Sequence, residues 1–220
     1  MTVIESITLD VPDSALARAF YTDAFGLDGQ VALRTTDGAT TGFRGFTLSL
    51  KVAQPATVKA LTDAAVDAGA TPLKPPKKSL WGFGGVVQAP DGTIWQVVSS
   101  AKQDTGPTTR EIDDIVLLVG AADVGASKRF YVERDLTVAK SFGRKYVEFD
   151  TAASPIKLAL YGRRALAKLA GVPADGTGSP GIAITSDLGP FTDPDGFSWQ
   201  PARVSGRPRG AMIARPMTTR

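Results

Sequence analysis

Apolar and polar residues alternate along Ile4-Glu5-Ser6-Ile7-Thr8-Leu9-Asp10-Val11, placing Ile7, Leu9 and Val11 on one face of a strand and Ser6, Thr8 and Asp10 on the other. Pro12-Asp13-Ser14 then offers helix-capping chemistry, and the pattern turns helical over 13–25 until Gly26 stops it. Strands are expected near 30–36 and 43–53, a helix near 55–69 and strands near 71–77, 84–89 and 93–100. From Phe46 onward, apolar Phe46, Leu48 and Leu50 alternate with polar Thr47, Ser49 and Lys51. Ala89-Pro90-Asp91-Gly92-Thr93 has the proline and glycine of a turn joining two strands.

The order then begins again. Ile115 to Val119 leads through Gly125-Ala126-Ser127-Lys128-Arg129 to Phe130-Tyr131, as the first strand leads to Phe20-Tyr21. Pro194-Asp195-Gly196 runs on to Trp199-Gln200, as Pro90-Asp91-Gly92 runs on to Trp95-Gln96. Such a repeat marks an internal duplication, with units too long for a solenoid. In the second copy strands are expected near 112–119, 137–142, 145–150 and 156–161, with a short basic helix near 163–169. A Gly/Pro-rich loop over 173–181 and a strand near 181–185 follow, leaving no room for the second helix of the first copy. This divides the chain into a first domain over 1–101, a polar linker over 102–109, a shortened second domain over 110–203 and a basic tail over 204–220, read as disordered.

Composition narrows the chemistry. A hydrophobic content of 43% suits a globular chain, and no apolar run is long enough to span a bilayer. With no secretory pattern at its start, the chain is expected to be cytoplasmic. Having no cysteine, it can form no disulfide, thiolate nucleophile or thiolate metal site, and having no histidine it lacks the usual transition-metal ligand and the base of Ser-His pairs. The net charge of +3 comes from the tail, where Arg207, Arg209, Arg215 and Arg220 stand without an acid, so the body is close to neutral and no nucleic-acid partner is expected.

The repeated strand-helix order, Ala19-Phe20-Tyr21 with Phe25-Gly26-Leu27, the stretch Trp81-Gly82-Phe83-Gly84-Gly85 and the two Pro-Asp-Gly turns resemble the vicinal oxygen chelate superfamily of glyoxalase I, extradiol dioxygenases and bleomycin-resistance proteins. The resemblance covers residues 3–203. It implies an α+β fold of tandem βαβββ modules, whose curved sheets enclose open cups. In metal-using members the ligands come from the first strand, the matching strand of the next module and the strand after the Pro-Asp-Gly turn. Carried over, those positions fall at Ser6, Thr47 and Gln96 in the first copy, and at Asp114, about Gly181 and Gln200 in the second. Only Asp114 among them is a strong ligand, since the glutamate expected after the aromatic residue is glutamine both times. Neither a metal nor another cofactor is expected.

Strand alternation completes the candidate site. If the polar faces line the cups, the first presents Ser6, Thr8, Thr47, Ser49, Lys51 and Gln96, and the second presents Asp114 and Gln200. Trp81, Phe83 and Trp95 offer rings for a planar ligand or for the core, with the core favoured for Trp95. Phe20, Tyr21, Phe130 and Tyr131 read as packing residues, and Lys74, Lys77 and Lys78 as a solvated face. Tyr146, Glu148 and Asp150 share a strand face that is either a proton-abstracting site or plain surface. The leading expectation is a protein, monomeric or homodimeric, that holds a small organic molecule, drug or metabolite, without metal and with no catalytic residue assigned. The alternatives are a metal-independent lyase or isomerase using Asp114 or Glu148 as base, and a degenerate assembly module.

Overall fold

The computed structural model describes residues 2–27, 29–38 and 40–202; the basic tail expected over 204–220 lies outside them. The chain runs β1 (Ile4–Val11), α1 (Ser14–Phe25), β2 (Val31–Thr35), β3 (Thr41–Gly42), β4 (Phe46–Lys51), α2 (Pro55–Asp67), β5 (Thr71–Ser79), β6 (Gly82–Gln88) and β7 (Ile94–Ser99). It continues through β8 (Asp114–Ala121), α3 (Val124–Val132), β9 (Val138–Phe142), β10 (Tyr146–Phe149), β11 (Ile156–Gly162) and α4 (Arg163–Ala170). The last elements are β12 (Gly176–Thr177), β13 (Ile182–Ser186), β14 (Phe191–Thr192) and β15 (Ser198–Pro201). The expected strand over 43–53 is confined to β4, and the small β3–β12 pair, made of threonine and glycine, carries no periodic signal.

Local chemistry explains the helix starts. Asp13 caps α1, its Oδ1 accepting from the backbone N–H of Ala15 at 2.8 Å and Leu16 at 3.0 Å. Asp123 repeats the device at α3, with Gly125 N at 2.8 Å and Ala126 N at 3.1 Å. Gly26 ends α1 in the left-handed region at φ 66°, where a side chain would be strained. Pro55 opens α2, whose cap comes from the chain between the copies: Asp104 Oδ1 accepts from Ala56 N at 2.6 Å. Gln54 pins the same segment, accepting from Thr105 N and Gly106 N and donating to Pro107 O.

The two copies written in the sequence interleave in space. One sheet has the order β14-β15-β13-β1-β2, and the other has β5-β6-β7-β4-β8-β11-β10-β9. In the larger sheet β4 pairs antiparallel with β8, and in the smaller β1 pairs antiparallel with β13, so each sheet joins strands of both halves. Register makes the pseudo-symmetry explicit: Leu48 lies opposite Trp95 and Leu117, and Ile184 lies opposite Trp199 and Ile7.

A single core fills the space between the sheets. Ile7, Leu9 and Ile184 meet Leu48, Leu117, Leu158 and Leu160, with α1, α2 and α3 adding Phe20, Leu61 and Tyr131. Burying these side chains contributes about 1.5–3 kcal/mol each, and this is the main force holding the sheets together. Tyr21 packs on Trp95 and Tyr131 on Trp199, both at 5.4 Å between ring centroids, and with Phe20 in the core and Phe130 packed against it, Phe20, Tyr21, Phe130 and Tyr131 serve the packing role expected of them.

A second, smaller cluster lies on the opposite face of the larger sheet. There Leu166, Ala167 and Ala170 of α4 pack on Leu118, Ala159, Ile94 and Val86. The close seat needs a residue without Cβ at Gly120, since a Cβ there would stand 2.8 Å from Gly45 O and 3.2 Å from Arg163 Cα. Helix α4 begins where β11 ends, and its last turn is held from β5, where Lys74 Nζ donates to Lys168 O at 2.6 Å and Leu169 O at 2.7 Å. It therefore crosses the face that alternation assigned to a cup, over β8 and β4. Lys74, read from the sequence as solvated, is a helix C-terminal cap, and burial followed by repulsion from Lys77 and Lys168 lowers its pKa.

Candidate functional site

The larger sheet carries most of the expected side chains on its α4 face. Thr47, Ser49 and Lys51 project there from β4, Gln96 from β7, and Asp114, Val116 and Leu118 from β8. Register aligns Gln96, Ser49, Val116 and Lys157 across the sheet. Beneath α4, Gln96 Nε2 donates to Thr47 Oγ1 at 2.8 Å, and both side chains are buried. At the open end Lys51 Nζ donates to Asp114 Oδ2 at 3.0 Å, and Lys157 Nζ stands 3.9 Å from Asp114 Oδ1. The Lys157 ammonium is saturated by the carbonyls of Thr151, Ala152 and Ser154, at 3.1, 2.6 and 2.9 Å, so it is a fixed charge.

Ser6, Thr8 and Gln200 lie elsewhere. They share the uncovered face of the smaller sheet, where Ser6 pairs with Thr185 and Thr185 with Gln200. Thus Thr47 and Gln96 meet, as do Ser6 and Gln200 through Thr185, whereas Ser6 does not join Thr47. Asp114 is not the counterpart of Ser6: Ser6 faces Thr185 as Val116 faces Ser49, which makes Val116 the equivalent position. The position expected near Gly181 falls likewise at Ala183, which lies opposite Thr8 as Thr47 lies opposite Leu118. Asp10 closes one end of this face through an ion pair with Arg34 at 2.7 Å, which raises the arginine pKa.

The aromatic candidates separate. Trp95 is fully buried, and Phe83 faces α2, with Lys59 Nζ 5.7 Å from its ring centroid. Trp81 is 84% exposed at the tip of the β5–β6 hairpin, beside exposed Leu80. The tip is fixed by Ser79 Oγ, which accepts from Trp81 N at 3.2 Å. Alternation had flagged Tyr146 and Glu148, and the structure adds Tyr161 and Phe142 to the same face of the larger sheet. The local signal was present in each strand, but only register shows that the rings are neighbours.

Two further features were not read from the sequence. A cavity of ≈ 430 Å³ lies among Phe43, Arg44, Arg163 and the loop Ala174–Gly178. Its arginines are engaged: Arg44 donates to Pro180 O at 2.8 Å, and Arg163 donates to Phe43 O at 2.6 Å and Ala174 O at 3.2 Å. Burial lowers the Arg44 pKa against the opposing influence of Asp91, Tyr21 and Asp10, so this guanidinium serves as a tie between β1 and the loop before β13. The second feature is a pair of tyrosine-carboxylate contacts, Tyr21 to Asp91 at 2.6 Å and Tyr131 to Asp193. Burial, reinforced by each carboxylate, raises both phenol pKa values well above the ordinary range.

The metal positions can be tested on their chemistry. The central row of the larger sheet offers an amide, a hydroxyl, an alkyl group and an ammonium, and its nearest carboxylate is flanked by two lysines. The smaller sheet offers two hydroxyls and an amide. Divalent ions need carboxylates or imidazoles, so neither donor set fits one. Among the described residues no three His, Cys, Asp or Glu side chains cluster as metal ligands would.

No family model matches the chain, and no curated protein matches it in sequence. Its fold does have solved counterparts. Glyoxalase I from Zea mays is 14% identical, with 90% of this chain and 91% of that chain covered and a TM-score of 0.60. A glutamate-to-glutamine mutant of that enzyme is 15% identical, with coverages of 91% and 93% and a TM-score of 0.59. A putative dioxygenase from Bacillus subtilis subsp. subtilis str. 168 is 10% identical, with coverages of 90% and 84% and a TM-score of 0.59. The chain therefore has the α+β fold of these glyoxalase and dioxygenase structures. No described helix is long and apolar enough to cross a membrane.

Proposed function

We propose that the protein binds a small organic molecule, a drug or metabolite, on the part of the larger sheet that α4 leaves open, and does so without a divalent metal. The carrying observation is the replacement of metal-ligand chemistry in a glyoxalase fold: Gln96 is paired with Thr47, and Asp114 is held by Lys51 and Lys157. What remains beside α4 is an uncovered surface with half-buried aromatic rings and a few polar groups, the mixture that organic ligands use for burial and orientation. The same reading makes the protein a cytoplasmic monomer or homodimer with no nucleic-acid partner.

Thermal unfolding against panels of antibiotics, aromatic metabolites and divalent metals tests this. A ligand at one hundred times its Kd stabilises the folded state by about 2.7 kcal/mol, or roughly 5–10 °C in a chain of this size. Tyr161→Ala, which removes one of those rings, should reduce the shift. A comparable shift from manganese, nickel or zinc would sink the proposal. A second reading, metal-independent lyase or isomerase chemistry, is favoured at Glu148 over Asp114, because Asp114 is already bound by two ammonium groups whereas Glu148 is exposed. Turnover that survives chelator and is lost in Glu148→Gln would establish it.

A further inference from the structure

Beyond the start of α4, three aromatic rings lie side by side on the same face of the larger sheet. Phe142 of β9, Tyr146 of β10 and Tyr161 of β11 are successive register partners. Tyr146 meets Tyr161 edge-on at 4.9 Å between ring centroids and meets Phe142 at 6.0 Å. The two tyrosines rest against the smaller cluster beneath α4 but stay half-exposed, and Phe142 is 56% exposed, so the row keeps ring surface open to solvent.

A carboxylate borders it. Glu148 stands two residues along β10, exposed, and its Oε2 accepts from the Tyr146 hydroxyl at 3.0 Å. It forms no ion pair among the described residues. Its register partner Lys140 turns instead to the row itself, with Nζ 5.2 Å from the Phe142 centroid, so a cation of the chain already lies on the outermost ring. Burial, then the Glu148 charge, raise the pKa of Tyr146 and Tyr161. An unpaired carboxylate and the negative faces of aromatic rings attract positive charge by separate routes, and partial burial weakens the competition from water.

We propose that this row is the recognition element of the open face and that it selects an organic cation, an ammonium or amidinium group on an apolar body, seated on Tyr146 and Tyr161 against Glu148. The inference rests on the ligand-binding reading above and gives it a chemical class. Lys140 is the internal competitor for the outer ring, and its removal leaves the whole row to the ligand.

Three isosteric phenols test the class: (4-hydroxyphenyl)trimethylammonium, neutral 4-tert-butylphenol and anionic 4-hydroxybenzenesulfonate. Their binding to the full chain is measured by NMR titration and calorimetry. The cation is expected to bind about tenfold more tightly than the neutral isostere, in keeping with a cation–π contact in partly dry surroundings, and the anion more weakly than either. Glu148→Gln should abolish most of that preference, Tyr146→Leu should weaken both, and Lys140→Gln should strengthen the cation. Equal affinity for cation and isostere, an unchanged preference in Glu148→Gln, or no binding of the cation would overturn the inference. Equal affinities that Tyr161→Ala still weakens would remove the class and leave the ligand-binding reading standing.

Discussion

Replacing Tyr131 by phenylalanine deletes one oxygen and tests how α3 is tied to the turn between β14 and β15. The Tyr131 hydroxyl donates to Asp193 Oδ2, while Asp193 Oδ1 accepts from Asp195 N at 2.9 Å and Phe197 N at 2.8 Å. Tyr131 is fully buried and Asp193 nearly so, and burial raises the aspartate pKa against the lowering effect of these bonds. A hydrogen bond to a buried charge is worth about 1.5–3 kcal/mol, so Tyr131→Phe should cost about 2–3 kcal/mol, a loss of roughly 4–12 °C in Tm. Tyr21→Phe is the internal control. Its partner Asp91 is half-exposed, water can replace the lost hydroxyl, and the cost should be about 1 kcal/mol smaller. Equilibrium urea unfolding at several pH values is the assay. Because the folded-state pKa of Asp193 is raised, its charged form burdens the fold above that value, and the burden disappears as the pH falls through it toward the ordinary carboxylate range. The variant has lost a bond that favours the charged form, so its deficit should narrow on acidification. A loss below 0.5 kcal/mol (roughly the noise of a surface change), a larger cost for Tyr21→Phe, or a deficit that widens in acid would refute the reasoning.

Two further substitutions probe the elements around the open face. Gly120→Ala forces a methyl against the backbone of Gly45 and Arg163, and should cost about 1–3 kcal/mol and speed amide exchange in 163–170 before the rest of the sheet. Trp81→Ala should change stability by less than about 0.5 kcal/mol. It should also remove the acrylamide-quenchable component of the fluorescence, since Trp95 and Trp199 are buried.

Much of the architecture was legible because local rules and tertiary structure agree. Alternation in Ile4–Val11 and Phe46–Lys51, the cap at Asp13 and the two Pro-Asp-Gly turns each fix an element with information close in sequence. The site was less legible because its neighbours are distant. Placing Asp114 opposite Ser6 is a slip of two residues, which leaves an alternating pattern unchanged and shows only in the pairing of strands. Lys74 looked like solvent-facing charge because the carbonyls it holds lie 94 and 95 residues away. Phe142, Tyr146 and Tyr161 each occupy an ordinary alternating position, and only the register of β9, β10 and β11 makes them one surface.

The exchange of strands between the halves has a consequence for how the chain is made. Leu9 finds its parallel neighbour early, in Leu33, but its antiparallel neighbour is Ile182, so β1 waits for most of the chain to be synthesised before its second border is filled. Until then that border is an unprotected edge, and folding is paced by closing one very long loop. Synthesis of this protein should therefore depend on whatever shields that strand, and cutting the chain between its copies would yield two fragments that each lack a border the other supplies.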